Sequence, residues 1–223
     1  KLLPFDNKAE LSVTIDLPEG SSVEATDAVA QAVAKVALDL PEVVSTQTHA
    51  GAAAPFNFNG LVRHSYLRTQ PQLGDVQVNL TPKGERSRAS HDIAVDLRQR
   101  VAALAVPVGT SLKVVEPPPG PPVMATLLAE IYGPDPDTRR RTAEKVEAAF
   151  REVPFIVDVD NSFGVPTRRL RATISTDDLD FFHVEESDVF DTLAILGGSS
   201  TVGYSHRGGG RAAVPIVVER PKG

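Results

Sequence analysis

The sequence predicts an α+β chain of repeated strand–helix–strand units. Three observations carry that expectation: a strict apolar/polar alternation near the N-terminus, two helical patterns each set between strand patterns, and a proline run after which the first pattern begins again. From Glu10 to Leu17, Leu11, Val13, Ile15 and Leu17 share one face, and Glu10, Ser12, Thr14 and Asp16 the other, the period of a half-buried strand. Pro18-Glu19-Gly20 turns the chain. Ser21 with Glu24 three residues on reads as a capping box opening a helix, whose buried stripe is Val29, Val33, Val36 and Leu40. Pro41 stops that helix, and Val43 to His49 reads as a second strand.

A second unit follows a long connection. Val76, Val78 and Leu80 alternate against Asp75, Gln77 and Asn79, then Ile93, Leu97, Val101 and Leu104 mark a helix and Leu112 to Val115 a strand. With right-handed crossovers the two units interleave into one antiparallel sheet carrying two helices on one face, the split βαβ or ferredoxin-like architecture, over about residues 8–116. Pro117 to Pro122, broken only by Gly120, cannot continue helix or sheet and forms a stiff extended boundary. Beyond it the outline recurs: strand Leu127 to Tyr132, turn Gly133-Pro134-Asp135, a helix with Val146, Ala149, Phe150 and Val153, then Pro154 and strand Ile156 to Asp160. Arg168 to Ser175 alternates as a further strand, followed by acidic helical sequence, Gly197-Gly198, a short strand, a His206 to Gly210 turn and strand Ala212 to Val218. This second copy ends before a second helix–strand return, which predicts an open sheet edge that pairs with another chain or with further sequence.

Composition narrows the function classes. At 41% hydrophobic and 23% charged residues, the 223-residue chain is expected to fold rather than stay disordered. A formal net charge of −6 gives no global basic field for phosphates, despite the local Arg139-Arg140-Arg141 cluster, so nucleic acid is not the expected partner. The most apolar stretch, Val23 to Leu40, is broken by five charged or amide residues, whereas a membrane span needs about 20 predominantly apolar ones. Starting at Lys1 without a signal pattern, the chain reads as an internal piece or processed product. The absence of cysteine removes disulfides and thiolate sites, and leaves the compartment open.

At this point the pattern resembles the second periplasmic loop of resistance–nodulation–division (RND) permeases, the acriflavine-resistance-like efflux transporters. The residues that carry the resemblance are Leu3-Pro4-Phe5-Asp6-Asn7-Lys8 running through the strand to Leu17-Pro18-Glu19-Gly20, the Phe56 to His64 stretch, the Gly120-Pro121-Pro122 connector, and the Asp188 to Gly198 helix ending Leu196-Gly197-Gly198. They span essentially the whole chain, and their specificity lies in order and spacing. The resemblance implies a first porter subdomain (1–116), a proline-rich connector (117–122), the start of a second porter subdomain (123–170) and part of a docking subdomain (171–223). It also implies a periplasmic segment of an inner-membrane homotrimer working with a periplasmic adaptor and an outer-membrane channel. One departure stands out: where the family places Gly between a short helix and its successor, this chain has Phe182-His183-Val184. Histidine tolerates positive φ better than a branched residue and worse than Gly.

The connection from Ala50 to Gly74 is the first candidate site. It is longer than structural loops usually run and carries Phe56, Phe58, Leu61, Val62 and Tyr66, side chains able to repack around apolar ligands of different shapes. The resemblance places a Phe-bearing switch loop here; the bland alternative is that Phe56 and Phe58 anchor the loop on the core. Arg63, His64 and Arg68 are candidates to orient anionic groups, against the alternative of solvated surface cations. A cleft between the two copies, bordered by Leu128, Glu130, Tyr132 and Asp160, is the second candidate, set against Leu128 being simply core. The five histidines show no zinc spacing, and the lone Met124 cannot supply the several soft thioethers that heavy-metal branches of the family use, so neither metal nor cofactor is expected. No nucleophile or phosphate-loop signature is present; Gly208-Gly209-Gly210 reads as a hairpin turn, and Asp177-Asp178 and Glu185-Glu186 as helix ends, so no enzyme is expected. The expected cargo is hydrophobic or amphiphilic small molecules. A ligand-sensing or assembly module of paired ferredoxin-like domains, and a heavy-metal exporter, are the alternatives.

Overall fold

The computed structural model describes residues 7–55, 60–61, 64–117, 125, 127–164, 166–168, 170–207, 210 and 213–219. The chain divides into two compact units, Lys1–Thr167 and Arg168–Gly223. The first contains a four-stranded antiparallel sheet in the order β2-β3-β1-β4, made of β1 (Glu10–Asp16), β2 (Val43–Ala50), β3 (Leu73–Leu80) and β4 (Ser111–Val115). Helices α1 (Val23–Leu38) and α2 (Ser90–Ala102) connect them, which is the interleaved βαββαβ order expected from the sequence.

The alternation in β1 works as its period dictates. Leu11, Val13 and Ile15 are fully buried with Val76, Val78 and Val114 beneath α1 and α2, which contribute Val29, Ala30, Val33, Ala34, Ala37, Ile93, Ala94, Leu97 and Val101. Helix α1 opens one residue later than the capping-box reading places it. Ser22 is the N-cap, its hydroxyl accepting from Ala25 N, while the Ser21 hydroxyl donates to Pro18 O at 2.7 Å and tightens the turn. The α1 stripe also leans toward Ala30, Ala34 and Ala37, with Val36 only partly buried, because small residues let the helix lie close to the sheet.

The β2–β3 connection closes tightly at its base. Gly51, at φ +62°, donates to Leu73 O at 2.8 Å, and a Cβ there would stand 2.9 Å from Val23 Cγ2. Gly74 is a close approach instead, since a Cβ would meet Thr26 Cγ2 at 2.9 Å and His49 O at 3.0 Å. Thr26, fully buried, donates to Pro71 O at 2.7 Å and so joins the start of α1 to the end of the loop.

Beyond the proline run, whose residues 118–122 lie outside the described set, the sequence expectations hold for the helices and for the C-terminal strand pair. Helix α3 (Pro136–Arg151) forms behind the Asp135 cap, whose carboxylate accepts from Thr138 N at 2.7 Å. The strands expected at 127–132, 156–160 and 168–175 are not formed among the described residues. A strand exists by pairing, and here Tyr132 and Leu170 are exposed with no ladder partner. The three consecutive arginines of α3 turn back onto their own unit: Arg139 donates to Gly133 O, Arg140 lies over the Phe163 ring, and Arg141 meets Thr138.

In the second unit, α4 (Thr176–Phe182) and α5 (Glu186–Gly197) precede a hairpin of β5 (Ser199–Ser205) and β6 (Val214–Glu219). Ser175 caps α4 by accepting from Asp178 N. His183 ends it at φ 53°, and Val184 N donates to Leu179 O at 3.0 Å, the 6→1 bond of a Schellman end. The left-handed position expected at His183 is therefore real, occupied by a residue that adopts it at some strain. Helices and hairpin leave Phe181, Phe182, Phe190, Val202, Tyr204 and Ile216 exposed.

Candidate functional site

The face of the sheet opposite the helices is polar because every second residue of each strand points there. Ser12, Thr14 and Asp16 of β1 lie beside Asp75, Gln77 and Asn79 of β3, with Ser45, Gln47 and His49 of β2 and Lys113 of β4 completing the face. The long loop leaves from Ala50 and returns at Leu73, at the end of the sheet where β1 finishes and β4 begins. Gln77 Nε2 donates to Pro55 O at 3.2 Å, which brings the first part of the loop over this face.

Arg68 ties down the second part. Its guanidinium donates to Ile15 O at 2.9 Å and Gly74 O at 3.2 Å, pairs with Asp16 Oδ1 at 2.8 Å and meets Asp75 Oδ2 at 3.4 Å. The Asp75 side chain is only 9% exposed. Burial pushes its carboxyl above the ordinary 3.8, against the opposing pull of the Arg68 charge. From Asp16 the charges continue: Lys113 Nζ stands 3.3 Å from Asp16 Oδ2 and also pairs with Asp160. Two residues away, Asp158, at φ 55°, pairs with Arg98 of α2 at 3.1 Å, and Arg98 in turn donates to Val114 O at 2.9 Å. The result is a line of alternating charge, Asp75–Arg68–Asp16–Lys113–Asp160, from the buried centre of the sheet to its β4 edge.

Of the residues singled out from sequence, Phe56, Phe58 and Val62 lie outside the described set, as does Arg63. Leu61 and Tyr66 are both largely exposed on the loop, Tyr66 meeting the His64 ring edge-to-face at 5.9 Å. His64 sits at φ 54°, and the Ser65 hydroxyl donates to Gly60 O, so this stretch is a built turn. Arg68 is not available to orient an anionic ligand, because Ile15 O, Gly74 O and Asp75 Oδ2 accept its hydrogen bonds and the Asp16 carboxylate already pairs with its charge. Leu128 is 66% exposed and so is not core, and Glu130 accepts from the Tyr132 hydroxyl at 2.7 Å. Asp160 alone among the second group joins the loop's network, through Lys113.

Sequence reasoning singled out Arg68 for a different role and missed its anchoring partners Asp16 and Asp75, with Lys113 beyond them. Their signal was present in part: Asp16 and Asp75 occupy the polar phase of strands whose other phase is apolar. The pairing of β1 with both β3 and β4, which brings them together, is a long-range property. Among the described residues no three His, Asp or Glu side chains are grouped to hold a metal ion. No helix among them is long and apolar enough to cross a membrane.

A family model described as the AcrB/AcrD/AcrF family matches residues 1–222. The chain belongs to this family. No curated protein matches it. Among solved structures, a heavy metal efflux pump in one crystal form aligns with a TM-score of 0.70 at 19% identity over 97% of the chain, and in a second form with 0.69 at 18% over 96%. At that identity the likeness is one of fold. The chain spans 22% of the length of those pumps. The α+β, antiparallel character expected from the sequence agrees with them.

Proposed function

We propose that this chain is the periplasmic substrate-handling portion of a proton-driven RND efflux pump that exports amphiphilic organic compounds. The observation that carries this reading is the family match over residues 1–222, in a chain whose β2–β3 connection starts out over a polar sheet face. Residues 1–116 act as a first porter subdomain, 117–122 as the connector, 123–170 as the start of a second porter subdomain, and 171–223 as part of a docking subdomain. The complete transporter is an inner-membrane trimer that hands its cargo to an adaptor and an outer-membrane channel. Phe56 and Phe58 act as the soft gate, Leu61, Val62 and Tyr66 contribute to substrate binding beside it, and rocking of one porter copy against the other moves the cargo.

Heavy-metal export is the second reading, favoured by the solved pumps that share this fold. Composition weighs against it: a single methionine and no cysteine leave the chain without a set of soft ligands. The deciding experiment compares accumulation of lipophilic dyes, and tolerance of metal ions, in cells carrying the complete transporter or its Phe56→Ala/Phe58→Ala variant at equal expression. Selective loss of dye export supports the gate. Unchanged dye export, with metal tolerance dependent on the pump, overturns both the gate and the substrate class.

A further inference from the structure

We propose that Asp16 is a counter-ion shared between two moving parts, so that the position of the 158–160 segment sets how firmly residues 64–72 of the loop are held. The inference rests on the reading of that loop as the substrate gate, and it names the residues that regulate it. Asp16 stands at the end of β1 with one carboxylate oxygen on Arg68 of the loop and the other near Lys113 of β4. Lys113 divides its charge between Asp16 and Asp160. The segment bearing Asp160 is held at the β4 edge by side-chain charges, through Asp158 to Arg98 and Asp160 to Lys113, and not by a strand ladder.

The sign of the coupling follows from Coulomb's law. While Asp160 is in place it neutralises much of Lys113, and Asp16 is left to Arg68. When Asp160 withdraws, Lys113 turns its whole charge on Asp16 and, at the same time, repels the Arg68 guanidinium on the other side of that carboxylate. The loop anchor weakens. Removing Lys113 leaves Arg68 as the sole cation at Asp16, so the loop no longer responds to Asp160. Asp75, on the far side of Arg68, and His49, opposite Asp75 in the ladder, stay fixed in the sheet throughout and serve as the constant part of the anchor. The relay thus carries a displacement beyond the proline run back to the loop without moving the sheet.

The test is amide hydrogen exchange on the 223-residue chain with no substrate present. It follows Leu67 and Arg68, whose amides bond to His64 O and Ser65 O within the loop, with the core amides of β1 and β3 as the control for global stability. Asp160→Asn is expected to speed loop exchange about two- to threefold, the scale of losing one partly exposed charge contact, with the core amides unchanged. In a Lys113→Met background Asp160→Asn is expected to have no effect, and in a Lys113→Arg background, which keeps the charge if Met disturbs the sheet, the effect is expected to remain. Arg98→Met, which releases the Asp158 hold on the same segment, is expected to speed the loop amides in the same direction and by no more than Asp160→Asn. A flat response to Asp160→Asn, or an equal response with and without the Lys113 charge, overturns the coupling. Either failure leaves the gate assignment standing, whereas unchanged dye export in the accumulation assay removes the gate and leaves this cycle untouched.

Discussion

Arg68→Met offers the sharpest quantitative prediction, because four oxygens depend on one guanidinium and one of them is deeply buried. The variant keeps the apolar stem and deletes the charge. Removing one partner from a buried ion pair costs about 3–5 kcal/mol, and the partial exposure of Arg68 (20%) and Asp16 (27%) lowers the expectation here to about 2–3 kcal/mol. A ceiling on the Asp75 share comes from its escape route. Protonating a carboxyl of ordinary value 3.8 at pH 7 costs about 4 kcal/mol at about 1.36 kcal/mol per unit, and Asp75, already pushed upward by burial, takes a proton for less. Core amides of β1 and β3 report the stability of this unit without interference from the second, and should exchange roughly thirty- to hundredfold faster in the variant. Asp75→Asn added to Arg68→Met should restore at least half of the loss, since an amide needs no counter-ion. The deficit should also shrink as pH falls, because Asp75, raised by burial, takes up a proton more readily than an ordinary carboxyl. A cost below about 0.5 kcal/mol, or no rescue by Asp75→Asn, would refute the assignment of Arg68 as the loop's buried anchor.

Three further predictions follow from the geometry of the same unit. Glu42 takes a bidentate hydrogen bond from Arg88, at 2.7 and 2.6 Å, which holds its carboxyl below the ordinary 4.5. A depressed carboxylate contributes stability above its unfolded value and loses it as pH falls through the folded one. Chemical denaturation should therefore show stability dropping below pH 4.5, and Glu42→Gln should flatten that slope in part, with Asp96, depressed by Arg100 and Arg88, supplying the rest. Asp75 acts with the opposite sign: its raised value gives stability that is full below 3.8 and is lost as pH rises, so Asp75→Asn should steepen the acid limb. Gly74→Ala should cost about 1–3 kcal/mol by the same denaturation measurement, because the added methyl meets Thr26 Cγ2 and the His49 carbonyl at or below 3.0 Å with no free direction.

The elements that sequence reasoning placed well are those whose period is enforced by one continuous core. β1 alternates over its whole length because both neighbours bury the same face, and Ile93, Leu97 and Val101 recur at helical spacing because α2 packs on that face too. His183 was legible for a different reason: the family resemblance marks a glycine position between the two helices there, and the left-handed backbone that such a position calls for is what His183 adopts. The strands expected at 127–132 and 156–160 show the limit of period reading. Alternation states which side a residue would face if a partner were present, and pairing is decided elsewhere in the fold. Ser21 and Ser22 show a finer limit, since either serine can cap a helix and only the geometry of the Pro18 turn selects the second. The anchoring charges were least legible, because Arg68 and Asp16 are far apart in the chain and a lone arginine in a polar loop looks solvated.

The strand order β2-β3-β1-β4 has a consequence for how this chain comes into being. β1 is synthesised before the other three strands of its sheet, yet its partners are residues 73–79 and 111–115. At about 5–20 residues per second, its apolar Leu11, Val13 and Ile15 wait several seconds for β3 and longer again for β4. Until then an alternating strand with both edges open travels on a nascent chain, and α1, which can form locally, is the first element available to cover it. Biogenesis, more than the finished fold, is where this topology makes demands: a stall between residues 16 and 73 would hold the chain in its most adhesive form.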